Sequence, residues 1–482
     1  MKAKWTATVL AALLVASCGG SISESPVITA AMPRPGPAVI AAPVRPPRSK
    51  EHEKLIASYG GVYNNPKIER EVASLVGRLV AASANPNQSI QVTILNAPAV
   101  NAFALPSGDL YITRGLITLA NDESELAAVI AHELAHVTAD HARQRQRQAR
   151  AVALARRVSD VVDDPEIRLE TRETADVSLA SFSQRQEFQA DEIGVQTLAK
   201  AGFDPFAAAR FLGAMARYGE LPAMNAASAT RPSFLSSHPS TPARVDNARR
   251  AARAFAAPGI GLTEREGYLE SLDGALFGDD PREGYVRGRE FAHSELGIAF
   301  TVPQGYVLKN TSAAVLATDG QHTAIRFDAV SVPSGENLGD YLRSGWVKGL
   351  ITDSVRPSTL GGMPVAIASA LVDGWSFRIA VVRGPERVYR FIFASSEPAS
   401  AYEDAFRRTL ASFRVLTPSQ RAAMRPLTLQ VVPAQPGDTV VGLSARMRGV
   451  DHEMKRPLFE TLNGIDAENP LKPGQLVKIV VD

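Results

Sequence analysis

The sequence predicts an α+β protein of several domains: a mainly α-helical domain with a small sheet, then an α/β sandwich, then a small β-α-α-β module. Three observations lead to this prediction. The chain has 482 residues, enough for about three domains of ordinary size. The pattern becomes strand-rich from about residue 286. Breaker-rich stretches at 256–261 and 279–281 mark domain boundaries.

Composition and charge exclude several classes of protein. Hydrophobic residues make up 45% and charged residues 21%, which excludes wholesale disorder and a multi-span membrane protein. Lys and Arg number 52 against 50 Asp and Glu, so no basic excess indicates nucleic acid as a partner. The single cysteine excludes an internal disulfide and a cysteine-based zinc cluster. A metal site must therefore use histidine and carboxylate.

The N-terminus is predicted to be an export signal that ends at a lipidation site. Lys2 and Lys4 precede the apolar run 6–16, which is too short to cross a bilayer. The run ends at Cys18 in a pattern that resembles a bacterial lipobox. We therefore predict a lipoprotein signal peptide at 1–17 and a lipid on Cys18. An ordinary secretory signal and a buried apolar N-terminus are the alternatives.

The segment after the cysteine is predicted to be a tether. Residues 18–50 are rich in proline, which favours a stiff, solvated chain. Gly19, by the sorting rule known for enterobacteria, favours the periplasmic side of the outer membrane.

A His-Glu-x-x-His motif lies on a predicted amphipathic helix that Asp122 caps, with Glu125 reaching back as in a capping box. His132 and His136 stand one helical turn apart, so both imidazoles can bind one ion. Glu133 can then face a metal-bound water. The alternative is a surface helix with coincidental spacing.

A zinc hydrolase needs a third protein ligand, and the best candidate is Glu187. Glu187 and Asp191 lie four residues apart, on one helical face. Glu187 could bind the metal while Asp191 orients a ligand histidine, although such a pair alone is more typical of a solvated helix face. His141 is interpreted as a helix cap or as a support for a metal ligand.

These motifs occur in a familiar order. The stretch 101–108, then Gly115-Leu116, the His-Glu-x-x-His helix and Glu187-x-x-Ala190-Asp191 resemble the membrane-associated zinc metallopeptidases of the CAAX prenyl protease family, in its bacterial BepA/HtpX-like branch. The resemblance covers about 51–255. It implies a zincin-type fold with one Zn²⁺ per chain, bound by His132, His136 and Glu187, and with Glu133 as general base.

The resemblance also implies substrate contacts. The strand carrying 101–113 would be an edge strand that pairs with an extended substrate, through Asn101, Ala102, Phe103 and Ala104. His238 and Arg244 would lie at the cleft, where they stabilise the oxyanion or His238 caps the zinc. The tetratricopeptide repeats of BepA are lacking, so its partners are not implied.

An arginine run follows the motif helix, with no acidic residue among six arginines: Arg143, Arg145, Arg147, Arg150, Arg156 and Arg157. An acidic stretch at 160–166 comes next. A solvated helical hairpin is one interpretation, and a flap that meets anionic lipid or substrate is the other.

Two further modules are predicted after a linker at 256–285 that carries a short helix at 264–277. The domain at 286–420 has strands at 297–302, 323–332, 364–372, 376–382 and 388–394 and a helix at 401–413. This order loosely resembles the PsbP/Mog-type α/β sandwich, in fold only. His293 and His322 are isolated there.

The last module, 426–482, has the order β-α-α-β, with Gly-Asp-Thr at 437–439, Leu-Asn-Gly at 462–464 and Pro-Gly-Gln at 473–475. It looks like a LysM module, a family that binds peptidoglycan. The alternative is a small domain that packs on the first domain or binds protein.

Together these features predict a lipid-anchored zinc endopeptidase that degrades misfolded or misassembled envelope proteins. The rival hypothesis is a non-catalytic, peptidoglycan-associated scaffold or chaperone, which would have no need of Glu133.

Overall fold

The computed structural model describes residues 50–159, 165–221, 234, 238–239, 241–311, 314–466 and 470–482. The predicted signal peptide, Cys18 and nearly all of the tether lie outside the described residues. Within the described part of the chain, no helix combines the length and apolarity needed to span a bilayer.

The first domain is mainly helical, as predicted. Its helices are α1 (Lys50–Ser58), α2 (Pro66–Ala82), α3 (Arg114–Leu119), α4 (Glu123–Thr138), α5 (His141–Ser159), α6 (Pro165–Lys200), α7 (Ala207–Glu220) and α8 (Pro242–Arg253). A small sheet has the strands β1 (Gln91–Leu95), β2 (Ala102–Ala104) and β3 (Asp109–Thr113).

The order of this sheet is β1-β3-β2, with β1 parallel and β2 antiparallel to β3. The predicted edge strand at 101–113 is therefore wrong as one strand. A turn, closed by a hydrogen bond from Gly108 N to Leu105 O of 3.0 Å, splits it into β2 and β3. Of these two strands β2 lies at an edge of the sheet, whereas β3 is paired on both sides.

The helix α4 begins as predicted but is buried differently. Asp122 Oδ1 accepts a hydrogen bond of 2.8 Å from Glu125 N, and Glu125 Oε2 accepts one of 2.9 Å from Asn121 N rather than from the cap residue. Every residue from Glu123 to His136 is buried. The prediction that one face of this helix is exposed to solvent is therefore wrong. The elements α2, α6, α7 and β2 pack around α4.

The helix predicted at 264–277 is shorter than expected. The helix α9 (Arg265–Ser271) ends before Gly274, whose φ of 76° breaks the helical path. The strand β4 (Leu276–Phe277) follows, and it pairs with the last module rather than serving as a free linker.

The middle domain is strand-rich. Its strands are β5 (Tyr285–Arg287), β6 (Glu290–His293), β7 (Ile298–Thr301), β8 (Val307–Asn310), β9 (Val315–Thr318), β10 (Thr323–Val330), β11 (Arg356–Leu360), β12 (Met363–Val372), β13 (Trp375–Arg383), β14 (Val388–Ser395) and β15 (Arg414–Val415). They form a seven-stranded sheet, in the order β11-β12-β13-β14-β10-β9-β8, and a four-stranded sheet, β15-β7-β6-β5.

Helices cover both faces of the larger sheet. These are α10 (Leu338–Arg343) on one face and α11 (Ala399–Ser412) on the other, and the short α12 (Pro418–Ala423) follows. The five predicted strands and the predicted helix each lie within two residues of an observed element. The mixed α/β, multidomain class is therefore confirmed.

The last module has the predicted element order: β16 (Leu427–Pro433), α13 (Val440–Ala445), α14 (His452–Asn463) and β17 (Leu476–Val481). Thr439 caps α13, and Gly464, at φ 61°, ends α14. The strand β16 pairs with β17 on one side and with β4 on the other.

This module shares a hydrophobic core with the first domain. Leu458, Leu462 and Val480 belong to the same buried cluster as Leu116 and Leu126. Lys478 on β17 is fully buried, and its Nζ donates to the carbonyls of residues 118, 119 and 120 at the end of α3, at 2.9, 3.1 and 2.8 Å. The module therefore packs on the first domain, the arrangement that the sequence left open as an alternative.

Candidate metal centre

Four buried side chains converge at the middle of α4. His132 and His136 come from α4, Glu187 comes from α6, and His238 precedes α8. One ligand atom from each lies within 4.8 Å of all the others. Among the described residues this is the group that could hold a metal ion.

The distances place these atoms around one point. Nε2 of His132 and Nε2 of His136 are 3.0 Å apart. Glu187 presents Oε2 at 3.4 Å from the first nitrogen and Oε1 at 3.5 Å from the second. His238 Nδ1 lies 2.9 Å from Glu187 Oε2 and 3.4 Å from His132 Nε2.

Close packing of α6 on α4 brings Glu187 to the two histidines. A Cβ added at Gly194 would lie 3.2 Å from His132 N, closer than most real Cβ contacts. Glycine at this position lets the two helix backbones approach, which puts the carboxylate two turns earlier on α6 within reach of α4.

The residues fit a metal ion. Oε1 of Glu187 and Oε1 of Glu133 are buried, with no hydrogen-bond donor among the described residues, and such atoms are costly unless an ion or water pairs with them. Two facing imidazole nitrogens at 3.0 Å also need a shared cation or proton. Two imidazoles and a carboxylate are the donor set that zinc prefers in hydrolases.

The surroundings favour the ionised form of Glu187 and the neutral form of His136, which are the forms that bind a metal ion. Burial would raise the pKa of Glu187, but hydrogen bonds from His132 and His238 outweigh it and hold the pKa well below its ordinary value. Burial lowers the pKa of His136 far below its usual range, so its ring is neutral. Burial also acts to lower the pKa of His132, but Asp191 and Glu187 raise it to about 9.

Asp191 and Arg244 lie behind the ligands. Asp191 Oδ1 is 2.9 Å from His132 Nδ1, the ring nitrogen that faces away from the cluster. Arg244 donates from Nε and one terminal nitrogen to the two oxygens of Asp191, at 2.8 and 2.7 Å. Its other terminal nitrogen lies 3.1 Å from both Glu187 Oε2 and Pro239 O. This placement argues against the predicted oxyanion contact, because the buried guanidinium is already committed to the two carboxylates.

Glu133 lies beside the cluster and next to the edge strand. Burial raises its pKa, and His238, His132 and the backbone N–H of Ala104 act in the opposite direction. Its Oε1 is 3.6 Å from His238 Nε2. The carboxyl group therefore sits between the ligand cluster and β2.

The four residues predicted to bind substrate are not equivalent. Ala102 and Ala104 lie on β2, which packs on α4. Phe103 stacks on Tyr111, with 4.9 Å between ring centroids. The side-chain amide of Asn101 donates to Tyr59 Oη at 3.3 Å. The side chains of Phe103 and Asn101 thus contact neighbouring aromatic residues.

Two further residues contact the cluster. His141 Nδ1 lies 2.9 Å from His136 Nδ1, as a support for a metal ligand would. Phe234 stacks on His238, with ring centroids 4.6 Å apart, and nothing in the sequence indicated this contact.

The arginine run is partly described. The side chains of Arg143 and Arg147 are 70% and 74% exposed and lie 3.7 and 3.6 Å from Asp140. The acidic residues at 160–164 lie outside the described residues.

The region around this site is similar to a known peptidase family. The profile of Peptidase family M48 matches residues 66–252. This range contains both motif histidines, Glu133, Glu187, His238 and Arg244. The candidate metal centre therefore lies within the region that is similar to peptidase family M48.

Named relatives align with the same region. The beta-barrel assembly-enhancing proteases of Escherichia coli (strain K12) and Yersinia pestis are each 31% identical, over 202 and 201 residues, which is 39% of this chain and 40% of each relative. The mitochondrial metalloendopeptidase OMA1 of Schizosaccharomyces pombe is 30% identical over 181 residues, 36% of this chain and 50% of the relative. The chain thus spans half or less of the length of these relatives.

One solved structure is similar to part of the chain. The solution structure of cyanobacterial PsbP from Synechocystis sp. PCC 6803 covers 33% of this chain and 97% of that protein, at 13% identity and a TM-score of 0.21. A score this low carries no argument about fold, so the PsbP/Mog-type resemblance stays a prediction.

Proposed function

We propose that the protein is a zinc endopeptidase. The observation that carries this proposal is the convergence of His132, His136 and Glu187 around one point, with the buried carboxyl of Glu133 beside it. A structural metal site would need the three ligands but not an additional buried carboxyl group beside them.

Each residue has a role in peptide hydrolysis. Zinc, when bound, supplies Lewis acidity that activates water and polarises the scissile carbonyl. His132, His136 and Glu187 would hold it. Glu133 takes a proton from the attacking water and returns it to the leaving amine, which is general acid–base catalysis. Asp191 and Arg244 fix the orientation of His132 and Glu187.

The edge strand β2 positions the substrate. An extended peptide can add to the open side of β2 through main-chain hydrogen bonds. Because β2 packs on α4, this pairing would bring a peptide bond alongside Glu133. His238, among the ligand atoms, would cap the zinc in the resting enzyme or stabilise the oxyanion in the reacting one.

The proposed substrates are misfolded or misassembled envelope proteins. The names of the bacterial relatives describe proteases that enhance beta-barrel assembly, and strand addition at β2 selects extended chains over folded ones. The predicted lipid on Cys18 would hold the enzyme at the periplasmic side of the outer membrane. Replacing Cys18 with Ser should release the protein from the membrane fraction, and unchanged membrane association of this variant would refute the anchor.

Peptidoglycan is a proposed partner of the last module. The β-α-α-β order and the exposed loop at 435–439, next to the 61% exposed Val441, support this proposal. Full-length protein should sediment with purified peptidoglycan, and Val441→Asp should sediment less. A chain truncated before residue 426 is not a suitable control, since it would open the shared core.

The decisive experiment compares Glu133→Gln with wild type and with Glu123→Gln, a control on the same helix. Glu133→Gln should keep one zinc per chain, because Glu133 is not a ligand, and should cleave casein 10²–10⁴-fold more slowly, the usual range for loss of a general base. Glu123→Gln should cleave normally. Wild type with zinc but no cleavage of unfolded substrates would favour the rival function, a non-catalytic scaffold or chaperone.

A further inference from the structure

His141 contacts the metal cluster from behind. Its side chain is fully buried, and its Nδ1 lies 2.9 Å from Nδ1 of His136. The two ring planes are inclined by 75°, and the distance between the nitrogens is that of a hydrogen bond. On the far side, Nε2 of His141 lies 3.1 Å from Oε1 of Gln189.

The backbone holds His141 in this position. The helix α4 ends at Thr138 and α5 begins at His141, so only two residues connect the two helices. Asp140 makes this possible with a left-handed φ of 56°, which Asp tolerates better than most residues. Gln186, which is buried on α6, then donates to His141 O at 3.2 Å and ties the start of α5 to α6.

The contact fixes the proton positions if His136 binds zinc. His136 faces the cluster with Nε2, so that nitrogen needs a free lone pair. A neutral imidazole carries one N–H, which must then be on Nδ1. His141 Nδ1 must accept this N–H. The proton of His141 must then be on Nε2, which faces the side-chain amide oxygen of Gln189.

We propose that His141 is a positioning residue that holds His136 in its metal-binding tautomer, as the middle member of a hydrogen-bond chain from Gln189 through His141 to His136. The two histidine ligands are thus supported differently. His132 has the carboxylate of Asp191 at 2.9 Å from its Nδ1, whereas His136 has a neutral imidazole there. This inference rests on the proposed zinc site and adds a determinant of its affinity.

The test measures zinc affinity by competition with a chelator, in the full chain. His141→Leu fills the same space without an acceptor and should weaken zinc binding by about 10–100-fold, the usual cost of losing a support of this kind. His141→Asn keeps an acceptor near the position of Nδ1 and should recover most of that loss. His322→Leu, at an exposed histidine of the middle domain, should match wild type.

A double-mutant cycle separates the effect of the hydrogen-bond chain on zinc affinity from the effect of an added negative charge. Gln189→Glu places a stronger acceptor beside His141 Nε2 and should tighten zinc binding. Part of any gain could come from the added negative charge alone, and that part would persist in the His141→Leu background. The proposal predicts a larger gain when His141 is present.

Three results would overturn the proposal. These are wild-type affinity in His141→Leu, equal weakness of His141→Asn and His141→Leu, and an equal gain from Gln189→Glu in both backgrounds. If wild type binds no zinc, the proposed function fails as well. If wild type binds one zinc per chain and substitutions at residue 141 leave the zinc affinity unchanged, only the role of His141 fails.

Discussion

The buried lysine of the last module offers a sharp test of how the domains depend on each other. Lys478→Met keeps an unbranched side chain of similar length but removes the three N–H donors. The carbonyls of residues 118–120, at the C-terminal end of α3, would lose the partner that now lies at 2.8–3.1 Å. These carbonyls have no partner within the helix, because the last turn leaves them unpaired.

The expected loss is about 3 kcal/mol. A buried acceptor left without a donor costs about 1–3 kcal/mol, and removing one side of a buried charged contact costs about 3–5 kcal/mol. We take the lower end of the second range because burial, and then Arg265, lower the pKa of Lys478. The cost of burying the amino group therefore offsets part of what its hydrogen bonds contribute. Glu125 and Asp122 offset only part of that cost.

Two spectroscopic probes separate the domains. Trp346 and Trp375 both lie in the middle domain, and the third tryptophan, Trp5, lies outside the described residues. Far-UV circular dichroism at helical wavelengths reports mainly the first domain. In urea, Lys478→Met should lower the circular dichroism midpoint by about 1 M, if the slope is about 3 kcal/mol per M. The tryptophan transition should stay near its wild-type position.

Lys472→Met is the matched control, since Lys472 is an exposed lysine of the same module. It should leave both transitions unchanged. An unchanged circular dichroism midpoint in Lys478→Met would refute the claim that the last module stabilises the first domain.

Three further predictions concern the site and the middle domain. Glu187→Ala should lose zinc and activity together; if it binds zinc as wild type does, the third ligand is elsewhere and Asp191 is the next candidate. His238→Ala should raise basal proteolysis if His238 caps the zinc at rest, and a zinc-loaded variant at least tenfold slower on unfolded substrate would contradict this gate. Burial lowers the pKa of His293 from 6.5, although Glu295 and Asp280 oppose it. As pH falls below about 6.5, the unfolded chain binds a proton that the folded chain does not, so stability is lost with falling pH. The thermal midpoint of wild type, measured relative to that of His293→Asn, should therefore decrease as the pH is lowered from about 7.5 to 5.5. A difference that stays constant over this range would contradict the prediction.

The sequence predicted the site better than it predicted the surroundings of the site. The His-Glu-x-x-His spacing is a local property of one helix, and Asp122 marks the start of that helix directly. Glu187 is more distant in sequence, and its placement depended on resemblance. The structure brings it to His132 and His136 because Gly194 permits close packing of two helices, which no local pattern records.

Long-range contacts account for the features that the sequence could not indicate. The helix α4 looked amphipathic because alanines and polar residues alternate with its apolar stripe, yet neighbouring elements enclose it on every side. The pairing of β4 with β16 joins segments about 150 residues apart. Nothing in the sequence singled out Lys478, since lysine is rarely buried without a partner.

The most direct test of the central claim is anomalous diffraction at the zinc edge from crystals of the zinc-loaded protein. A single strong peak should lie between His132 Nε2, His136 Nε2 and Glu187, at about 2.0–2.2 Å from the ligand atoms. The same map should show whether His238 occupies the fourth position. A peak at another group of side chains, or no peak in protein that contains one zinc per chain, would contradict the assignment of this cluster as the metal centre.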